Sequence, residues 1–399
     1  MNALYPQRVF TKYIGSKVPN YKNSRISIDN DSIIKIPIVI HVLSKNRSKI
    51  GGRDNPNITL AQIYSQIKVL NEDFRKMGSG FNTHPDGADV RFEFELADTI
   101  APGQIEKGIN RITVEKEYFN MEEDRLEIAQ TIQWDFNKFL NIWIIASDPN
   151  ENMLGYSSFP NNAFVDGIES DTESLDEQKI FDGVIINSSN FGKDVGTATK
   201  SNIYNKGRTL THELGHFFGL LHTDGDDRCG DDKCDDTPTI EYMNQLSECK
   251  TIESNCNEKT VTNMIENYMD YSPDACMNIF TKDQKARMRY ILTRSETRFN
   301  LIKNNNKKTF KLVETEKLIV KIVNNPIDEL LLADITFKGI QNLKIKLYNM
   351  IGKELYSEEF SNQTSFLFRK DFYALNKGSY LFTVETNNEK LNQKILVKE

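Results

Sequence analysis

The sequence lacks the features of several common protein classes. Its 399 residues contain no uninterrupted apolar run near the ~18 residues that a membrane-spanning helix needs. Glycine and proline number only 21 and 11, which excludes collagen-like and low-complexity chains. The formal charge of -7 argues against a nucleic-acid partner bound through a basic face. What remains is an ordinary soluble composition, with length enough for two or three domains.

Cysteine is scarce and confined to one region. All five cysteines lie between residues 229 and 276, and none of their spacings is the CxxC of zinc ribbons or thioredoxins. A disulfide cluster in an exported protein fits this better than reduced thiols in a cytosolic one, although the cysteines alone leave both open. The first 22 residues lack the apolar core of a secretion signal. The chain is therefore cytosolic, or exported with a signal that this sequence does not include.

Hydrophobic periodicity divides the chain into four parts. Residues 1–32 are polar without a sustained period, and we expect a leader or pro-segment. Residues 33–302 alternate strand and helix patterns up to about residue 200 and are rich in loops beyond it, which predicts a mixed α/β domain with a loop-rich second half. Residues 303–310 have the composition of a linker. Residues 311–399 alternate with period two, which predicts a small antiparallel β-sandwich.

Several elements of the larger domain can be located. Capping pairs predict helices that begin after Thr59 and after Thr281. Apolar residues every four positions predict a further helix across 128–140, and another is expected across 207–221. Strands are predicted at 34–42, 90–96, 141–146 and 183–186, with an edge strand at 154–159.

The most informative segment is 212–222, which reads His-Glu-Leu-Gly-His-Phe-Phe-Gly-Leu-Leu-His. His212 and His216 are four residues apart on a helix, so both imidazoles can face one metal ion. Gly219 permits the left-handed conformation that ends a helix, which allows His222 to reach the same ion. Three neutral imidazoles leave one position of a tetrahedral zinc open, as in catalytic sites. The remaining two histidines, His41 and His84, are expected to be structural or surface residues.

This segment resembles the long zinc motif of the metzincin endopeptidases. Residues 267–271, Asn-Tyr-Met-Asp-Tyr, fit the methionine-containing turn of that family. Together with Asp-Asp-Thr-Pro at 235–238, they resemble the pappalysin branch, over about residues 33 to 300. The resemblance implies a zinc-dependent endopeptidase that hydrolyses protein or peptide substrates.

The resemblance also assigns roles to individual residues. It implies zinc binding by His212, His216 and His222, with Glu213 as the general base. Met269 would lie beneath the metal, and Tyr271 would stabilise the tetrahedral intermediate. On the edge strand, Gly155 and Tyr156 would hold the substrate backbone as an added strand.

Asp274 carries the expected specificity. It lies five residues after Met269, on the segment that in metzincins borders the pocket for the side chain just after the scissile bond. A partly desolvated carboxylate there favours a guanidinium or an ammonium group. The resemblance and this chemistry together predict cleavage on the N-terminal side of Arg or Lys.

Seven aspartates fall within residues 224–236, and hard cations prefer such oxygen ligands. The resemblance implies structural calcium at Asp232, Asp236 and Thr237. The family pattern also implies the disulfides Cys229–Cys256 and Cys249–Cys276, which would leave Cys234 unpaired.

The C-terminal part has its own resemblance. Residues 347–353, 378–380 and 394–398 resemble the sorting domain of the type IX secretion system. That likeness implies a bacterial protein that is secreted or displayed at the cell surface, with the type IX machinery as its partner. It favours an exported chain whose signal peptide has been removed or omitted.

Two alternatives were weighed against this interpretation. A catalytically inert binding or adhesion protein on a metzincin fold is disfavoured by the intact Glu213. A zinc protease with a distant glutamate ligand does not explain Gly219, His222 and Met269. Latency is a separate question: no cysteine precedes Cys229 to block the zinc, so an aspartate such as Asp29 or Asp31 is the candidate.

Overall fold

The computed structural model describes residues 26–28, 31–160, 167–168, 181–201, 203–303, 310–312, 317–322, 325–327, 330–372 and 375–398. The chain splits into two compact units, with the main division between Phe310 and Lys311. The segment 25–27 is grouped with the second unit. Within the described residues, no helix combines the length and the apolar character needed to cross a bilayer.

A six-stranded mixed sheet forms the centre of the first unit. The strand β1 (Ile26–Ile28) precedes the sheet in the chain and is not part of it. The six strands of the sheet are β2 (Ile34–Ser44), β3 (Phe92–Leu96), β4 (Ile109–Thr113), β5 (Leu140–Ile145), β6 (Gly155–Ser157) and β7 (Gly183–Asn187). The order is β3-β2-β5-β7-β6. β3 pairs with the first half of β2, and β4 pairs with the second half of the same strand. All pairs are parallel except β6, which runs antiparallel to β7 at the sheet edge. The predicted mixed sheet and its edge strand are thus present.

Five helices accompany the sheet in the described part of this unit. They are α1 (Leu60–Phe74), α2 (Arg125–Thr131), α3 (Arg208–Phe217), α4 (Lys282–Arg294) and α5 (Glu296–Lys303). The Thr59 hydroxyl accepts from the Gln62 backbone N–H at 3.2 Å, and Thr281 and Gln284 form a complete capping box. Both helix starts therefore lie where the capping pairs predict them.

The main core of this unit explains why α1 and α3 pack on the sheet. β2 is almost wholly buried, as a strand covered on both faces should be. The Phe74 ring of α1 lies 5.0 Å from Phe94 of β3 and 4.9 Å from Phe280, measured between ring centroids. The same cluster contains Leu210 and Leu214 of α3. The helix that carries the histidine motif is thus fixed by its apolar face.

The helix predicted across 128–140 is wrong in its second half. α2 ends at Thr131, Ile132 is extended, and Leu140 already belongs to β5. The Asn141 side chain accepts from the Trp134 N–H at 2.8 Å and donates to the Trp134 carbonyl at 3.0 Å. Those bonds hold a tight turn, so the four-residue apolar spacing there does not reflect a helix.

The second unit contains one antiparallel sheet. Its strands are β11 (Ile319–Ile322), β12 (Leu330–Asn349), β13 (Glu354–Asp371), β14 (Gly378–Thr386) and β15 (Lys390–Val397), and β10 (Phe310–Leu312) precedes them in the chain. The two strands not yet described, β8 (Glu253–Cys256) and β9 (Lys259–Thr262), form a hairpin in the first unit. The order is β11-β12-β14-β15, with β13 also paired to β12. Leu343, Ile345 and Leu347 alternate into its core, as predicted. The antiparallel strands are confirmed, and β11 to β15 form a single sheet.

Candidate active site

Three histidines converge at the end of α3. His216 Nε2 lies 3.1 Å from His212 Nε2 and 3.0 Å from His222 Nε2. Among the histidines, cysteines, aspartates and glutamates that the structure describes, this is the one group of three or more whose ligand atoms lie close enough to hold a metal ion. Burial lowers the pKa of His212 to about 3, helped by repulsion from His222. His212 is therefore neutral near pH 7, which is the form that binds metal.

Gly219 makes this convergence possible. Its φ of +87° lies in the left-handed region, and its N–H donates to the His216 carbonyl at 2.8 Å, so α3 ends in a sharp turn. A Cβ on Gly219 would lie 2.0 Å from Ile291 Cδ1. From α4, Arg287 Nε donates to the Gly219 carbonyl at 2.7 Å. His222, the residue predicted to follow this turn, thus reaches the two helical histidines.

The second nitrogen of each imidazole also has a partner. His212 Nδ1 lies 2.7 Å from the Tyr268 carbonyl, and His216 Nδ1 lies 2.8 Å from the Leu220 carbonyl. His222 Nδ1 contacts the carboxylate of Asp226. A backbone carbonyl or an ionised carboxylate can only accept a hydrogen bond, so each Nδ1 is the donor, which leaves Nε2 without a proton and directed towards the centre of the group.

Glu213 lies beside the edge strand. Its side chain is 4% exposed, and a Cβ on Gly155 would lie 2.6 Å from Glu213 Cγ and 2.8 Å from Oε1. Only glycine leaves room for the carboxylate at this point of β6. The Tyr156 side chain turns the other way and packs on Phe181, 5.7 Å between ring centroids. Only the backbone of Tyr156 can therefore serve the substrate contact that was predicted for it.

Met269 and Tyr271 lie on either side of the histidine group. A Cβ on Gly215 would meet Met269 Sδ at 2.2 Å, so the sulfur packs directly against α3 between the two helical histidines. The Tyr271 hydroxyl lies 3.1 Å from His222 Nε2. The predicted methionine turn and tyrosine are thus brought to the same place as the histidines.

Asp274 lies in a cleft next to His212. This cleft is lined by Leu154, Tyr204, Arg208, Thr209, His212, Asp270, Tyr271, Asp274 and Met277. Asp274 Oδ2 accepts from the backbone N–H of Lys206 at 2.7 Å and of Arg208 at 3.1 Å. The residue before α3 is Gly207, which has no side chain to cap the helix. Asp274 therefore caps α3 from outside as well as lining the cleft.

The polar groups that line the cleft differ in their charge and in whether they have a partner. Burial raises the pKa of Asp274 to about 6, partly offset by the two N–H donors. Arg208 Nη2 is paired with Asp73 Oδ1 at 3.1 Å. The Thr209 hydroxyl is buried and has no hydrogen-bond partner among the described residues. The cleft thus offers a carboxylate and an unused hydroxyl.

The predicted calcium residues have separate partners. The Thr237 hydroxyl lies 2.7 and 2.8 Å from the two oxygens of Asp232. Asp236 instead accepts from the Thr281 hydroxyl at 2.6 Å and from the Asp283 N–H at 2.9 Å, at the start of α4. Burial raises the pKa of Asp232 to about 7. Asp232 and Thr237 are together, and Asp236 faces α4.

The cysteines pair as the resemblance implied. Cys229 is bonded to Cys256 and Cys249 to Cys276, and Cys234 is a buried free thiol. The two bonds interleave along the chain, since Cys249 lies inside the loop that the first bond closes. The two disulfides cross-link the segment that follows His222.

The remaining candidates lie apart from the histidine group. His41 is buried between Asn141 and Asn110, and burial lowers its pKa to about 4. His84 Nδ1 accepts from the Asp86 N–H. Asp31 is exposed and its carboxylate lies 3.5 Å from Arg91 Nη2, and Asp29 lies outside the described residues. The latency role proposed for an aspartate therefore gains no support from Asp31.

Sequence reasoning missed three residues here. Thr209 lies three residues before His212, so helical spacing alone could have placed it beside the first histidine. Arg208 is the neighbour of Thr209, but its pairing with Asp73 joins distant parts of the chain. Asp226 lies in an irregular loop, and no periodicity marks it among the neighbouring aspartates.

The fold contains a mixed sheet with an antiparallel edge strand. Two histidines and a glutamate on one helix lie next to a third histidine that follows the helix, and a methionine turn packs beside them. Together these features define a metzincin-type metalloprotease. Residues 121–293 match a peptidase family described as pregnancy-associated plasma protein-A. Residues 321–398 match a secretion system C-terminal sorting domain.

Relatives and solved structures agree with this class. An extracellular metalloprotease of Verticillium alfalfae is 30% identical over 67% of this chain and 80% of its own length. One of Arthroderma benhamiae is 35% identical over 72% and 81%. The structure of Tannerella forsythia mature mirolysin in complex with a cleaved peptide is 36% identical, covers 70% of this chain and 99% of its own, and superposes with a TM-score of 0.56. Promirolysin from the same organism gives the same score and identity over 69% and 86%.

The chain therefore belongs to the pappalysin family of metalloendopeptidases and carries a C-terminal secretion sorting domain. Membership of this family implies a catalytic zinc ion, and the sorting domain and the extracellular relatives indicate an exported protein.

Proposed function

We propose that this protein is a zinc endopeptidase whose ion is held by His212, His216 and His222. The observation that carries the proposal is the convergence of the three Nε2 atoms, since that of His216 lies within 3.1 Å of the other two. Neutral imidazoles are preferred zinc ligands, and the described groups on Nδ1 orient them for that role. The donor set therefore fits the implied metal. Gly219 and Met269 support the site through the helix turn and the packing beneath it.

When bound, zinc supplies a Lewis acid that activates water and polarises a peptide carbonyl. Glu213 takes a proton from the attacking water and returns it to the leaving amine. Gly155 allows the Glu213 carboxylate to approach the edge strand. The Tyr271 hydroxyl donates a hydrogen bond to the oxygen that becomes negative during the attack. The backbone of β6 at Gly155 and Tyr156 pairs with an extended substrate.

The cleft beside His212 binds the side chain that follows the scissile bond, and we propose that it selects Arg or Lys. Asp274 offers a negative charge, because Arg208 is already paired with Asp73. The free Thr209 hydroxyl can accept from a guanidinium group as well. An apolar side chain would leave the Thr209 hydroxyl without a hydrogen bond, at a cost of roughly 1–3 kcal/mol, and would leave the buried Asp274 charge without a cation.

The acidic loop is proposed to hold calcium at Asp232, Asp236 and Thr237. Support comes from Asp232, whose buried carboxylate would be stabilised by a cation. If the proposal is right, millimolar calcium raises the melting temperature of the wild type and not of Asp232→Asn. An unchanged melting temperature in the wild type would contradict it.

Export and activation complete the proposal. The C-terminal sheet is proposed to fold as a sandwich that the type IX machinery of a bacterium recognises. We also propose that residues 1–32 are a pro-segment. Deleting residues 311–399 should retain the protein inside the cell, which fractionation with an antibody against the first unit would detect.

The decisive test is proteolysis of casein with and without a zinc chelator, comparing the wild type with Glu213→Gln. The wild type should cleave, and both the chelator and the substitution should abolish cleavage. Mass spectrometry of the products should show new N-termini enriched in Arg and Lys. Asp274→Asn should remove that enrichment while cleavage continues, since its amide oxygen still caps α3. A wild type as inert as Glu213→Gln after removal of residues 1–32 would favour a binding protein.

A further inference from the structure

The three histidines differ in what contacts their second ring nitrogen. Those of His212 and His216 face neutral backbone carbonyls. That of His222 faces the charged carboxylate of Asp226. A carboxylate is the stronger acceptor, because a hydrogen bond to an ionised group is roughly twice as strong as one between neutral groups. His222 thus has a partner of a different kind.

His222 is also the histidine that the backbone constrains least. His212 and His216 are fixed on α3 and are 5% and 7% exposed. His222 follows the helix end, and its side chain is 16% exposed. A loop residue needs a side-chain contact to hold one orientation, since its rotamers are not limited by a preceding helical turn.

Asp226 is itself held in place for this contact. It adopts the left-handed region with φ +60°, which aspartate tolerates better than most residues. Its N–H donates to Asp224 Oδ1 at 3.0 Å. The N–H of Gly225 donates to the His222 carbonyl at 2.9 Å. The loop therefore turns back immediately after His222 and returns the Asp226 carboxylate to the imidazole ring.

The geometry points to Asp226 as the positioning residue of the metal site, an inference that rests on the proposed function. By accepting a hydrogen bond from Nδ1–H, Asp226 fixes the tautomer of His222 that leaves the Nε2 lone pair free to bind the ion. The negative charge also strengthens Nε2 as an electron donor. Partners of this kind are worth roughly 10- to 100-fold in metal affinity. Asp226 contacts the His222 ring at Nδ1, whereas Nε2 is the nitrogen that faces the other two histidines.

The test measures zinc affinity by titrating the holoprotein with a chromogenic chelator at pH 7. Asp226→Ala should bind zinc roughly 10- to 100-fold more weakly than wild type, and Asp226→Asn should be intermediate because its amide oxygen still accepts from Nδ1. The matched control is Asp227, the exposed neighbour, where Asp227→Ala makes the same change in net charge and should leave the affinity unchanged. Nitrogen-15 NMR of His222 should show the Nδ1–H tautomer in wild type and a mixture in Asp226→Ala.

Several outcomes would overturn the inference. One is a zinc affinity of Asp226→Ala equal to that of wild type. Another is an equal loss in the 226 and 227 variants, which would indicate a general effect of charge. If Asp226→Ala does not fold by circular dichroism, the comparison of Asp226→Asn with Asp227→Asn decides. Failure of the proposed function is distinct: His212→Ala would then still bind one zinc with wild-type affinity.

Discussion

If Asp274 selects Arg or Lys as proposed, its buried carboxylate should make that selectivity depend on pH. Burial raises the pKa of Asp274 to about 6 from a usual value near 4. Asp274 is therefore mostly ionised above pH 6 and mostly protonated below it. A protonated acid no longer attracts a cationic side chain, so preference for Arg should fall as the pH falls through about 6.

Two peptides that differ only in Arg or Leu after the scissile bond would measure this effect. The ratio of their kcat/KM values cancels the titration of Glu213 and of the metal site, which both peptides share. The ratio should drop between pH 7 and pH 5 in the wild type and stay low and flat in Asp274→Asn. A flat, high wild-type ratio would show that Asp274 is not the selective group.

A second residue-scale prediction concerns Tyr271. Removing one donor to a developing oxyanion costs roughly 10²- to 10³-fold in kcat, so Tyr271→Phe should lose about that much. Zinc affinity should be unchanged, because the hydroxyl is not one of the three converging ligands. The matched control is Tyr204→Phe, which removes only a hydrogen bond from Tyr204 to the Tyr271 carbonyl at 3.0 Å. Equal losses in the two variants would assign both tyrosines a structural role.

At the scale of elements, local signals and tertiary contacts explain what the sequence could predict. Helix starts at Thr59 and Thr281 depend on neighbours three residues away, and the structure confirms both. The converging histidines likewise follow from spacing within one helix and its terminal turn. The end of α2 depends on Asn141, in the next strand, and no local pattern could reveal that contact. The pairing of Arg208 with Asp73 was hidden for the same reason.

Arg298 of α5 gives a prediction about element packing. Its Nε donates to the Phe217 carbonyl at the end of α3 at 2.9 Å, and Nη1 lies 2.7 and 2.8 Å from the two oxygens of Asp182. Arg298→Met would leave Asp182 buried without its partner, and should lower the free energy of unfolding by roughly 3–5 kcal/mol.

Urea denaturation of the zinc-bound protein would measure that loss. Lys303→Met is the matched control, since Lys303 is exposed on the same helix and surface substitutions change stability by about 0.5 kcal/mol or less. An effect of Arg298→Met no larger than that of the control would show that the pair does not stabilise α5 against α3.

At the scale of the whole molecule, the chemistry is confined to one unit. Every histidine and cysteine precedes residue 277, and the second unit has none. A chain that ends at Phe310 should therefore bind one zinc ion and keep kcat/KM within about twofold of the full chain, as expected for changes far from a site. Parallel assays on a fluorogenic peptide would compare them. A tenfold loss would mean that residues 311–399 contribute to catalysis.

The interleaved disulfides have a consequence for timing. Neither bond is expected to persist in a reducing cytoplasm, where glutathione and thioredoxin keep thiols reduced. The segment from His222 to Asp274 contains the third histidine, the methionine turn and Asp274, and each bond closes a loop through it. Before export, the segment from His222 to Asp274 should therefore lack both disulfide cross-links. We therefore expect these residues to be held in place only after both disulfides have formed outside the cytoplasm.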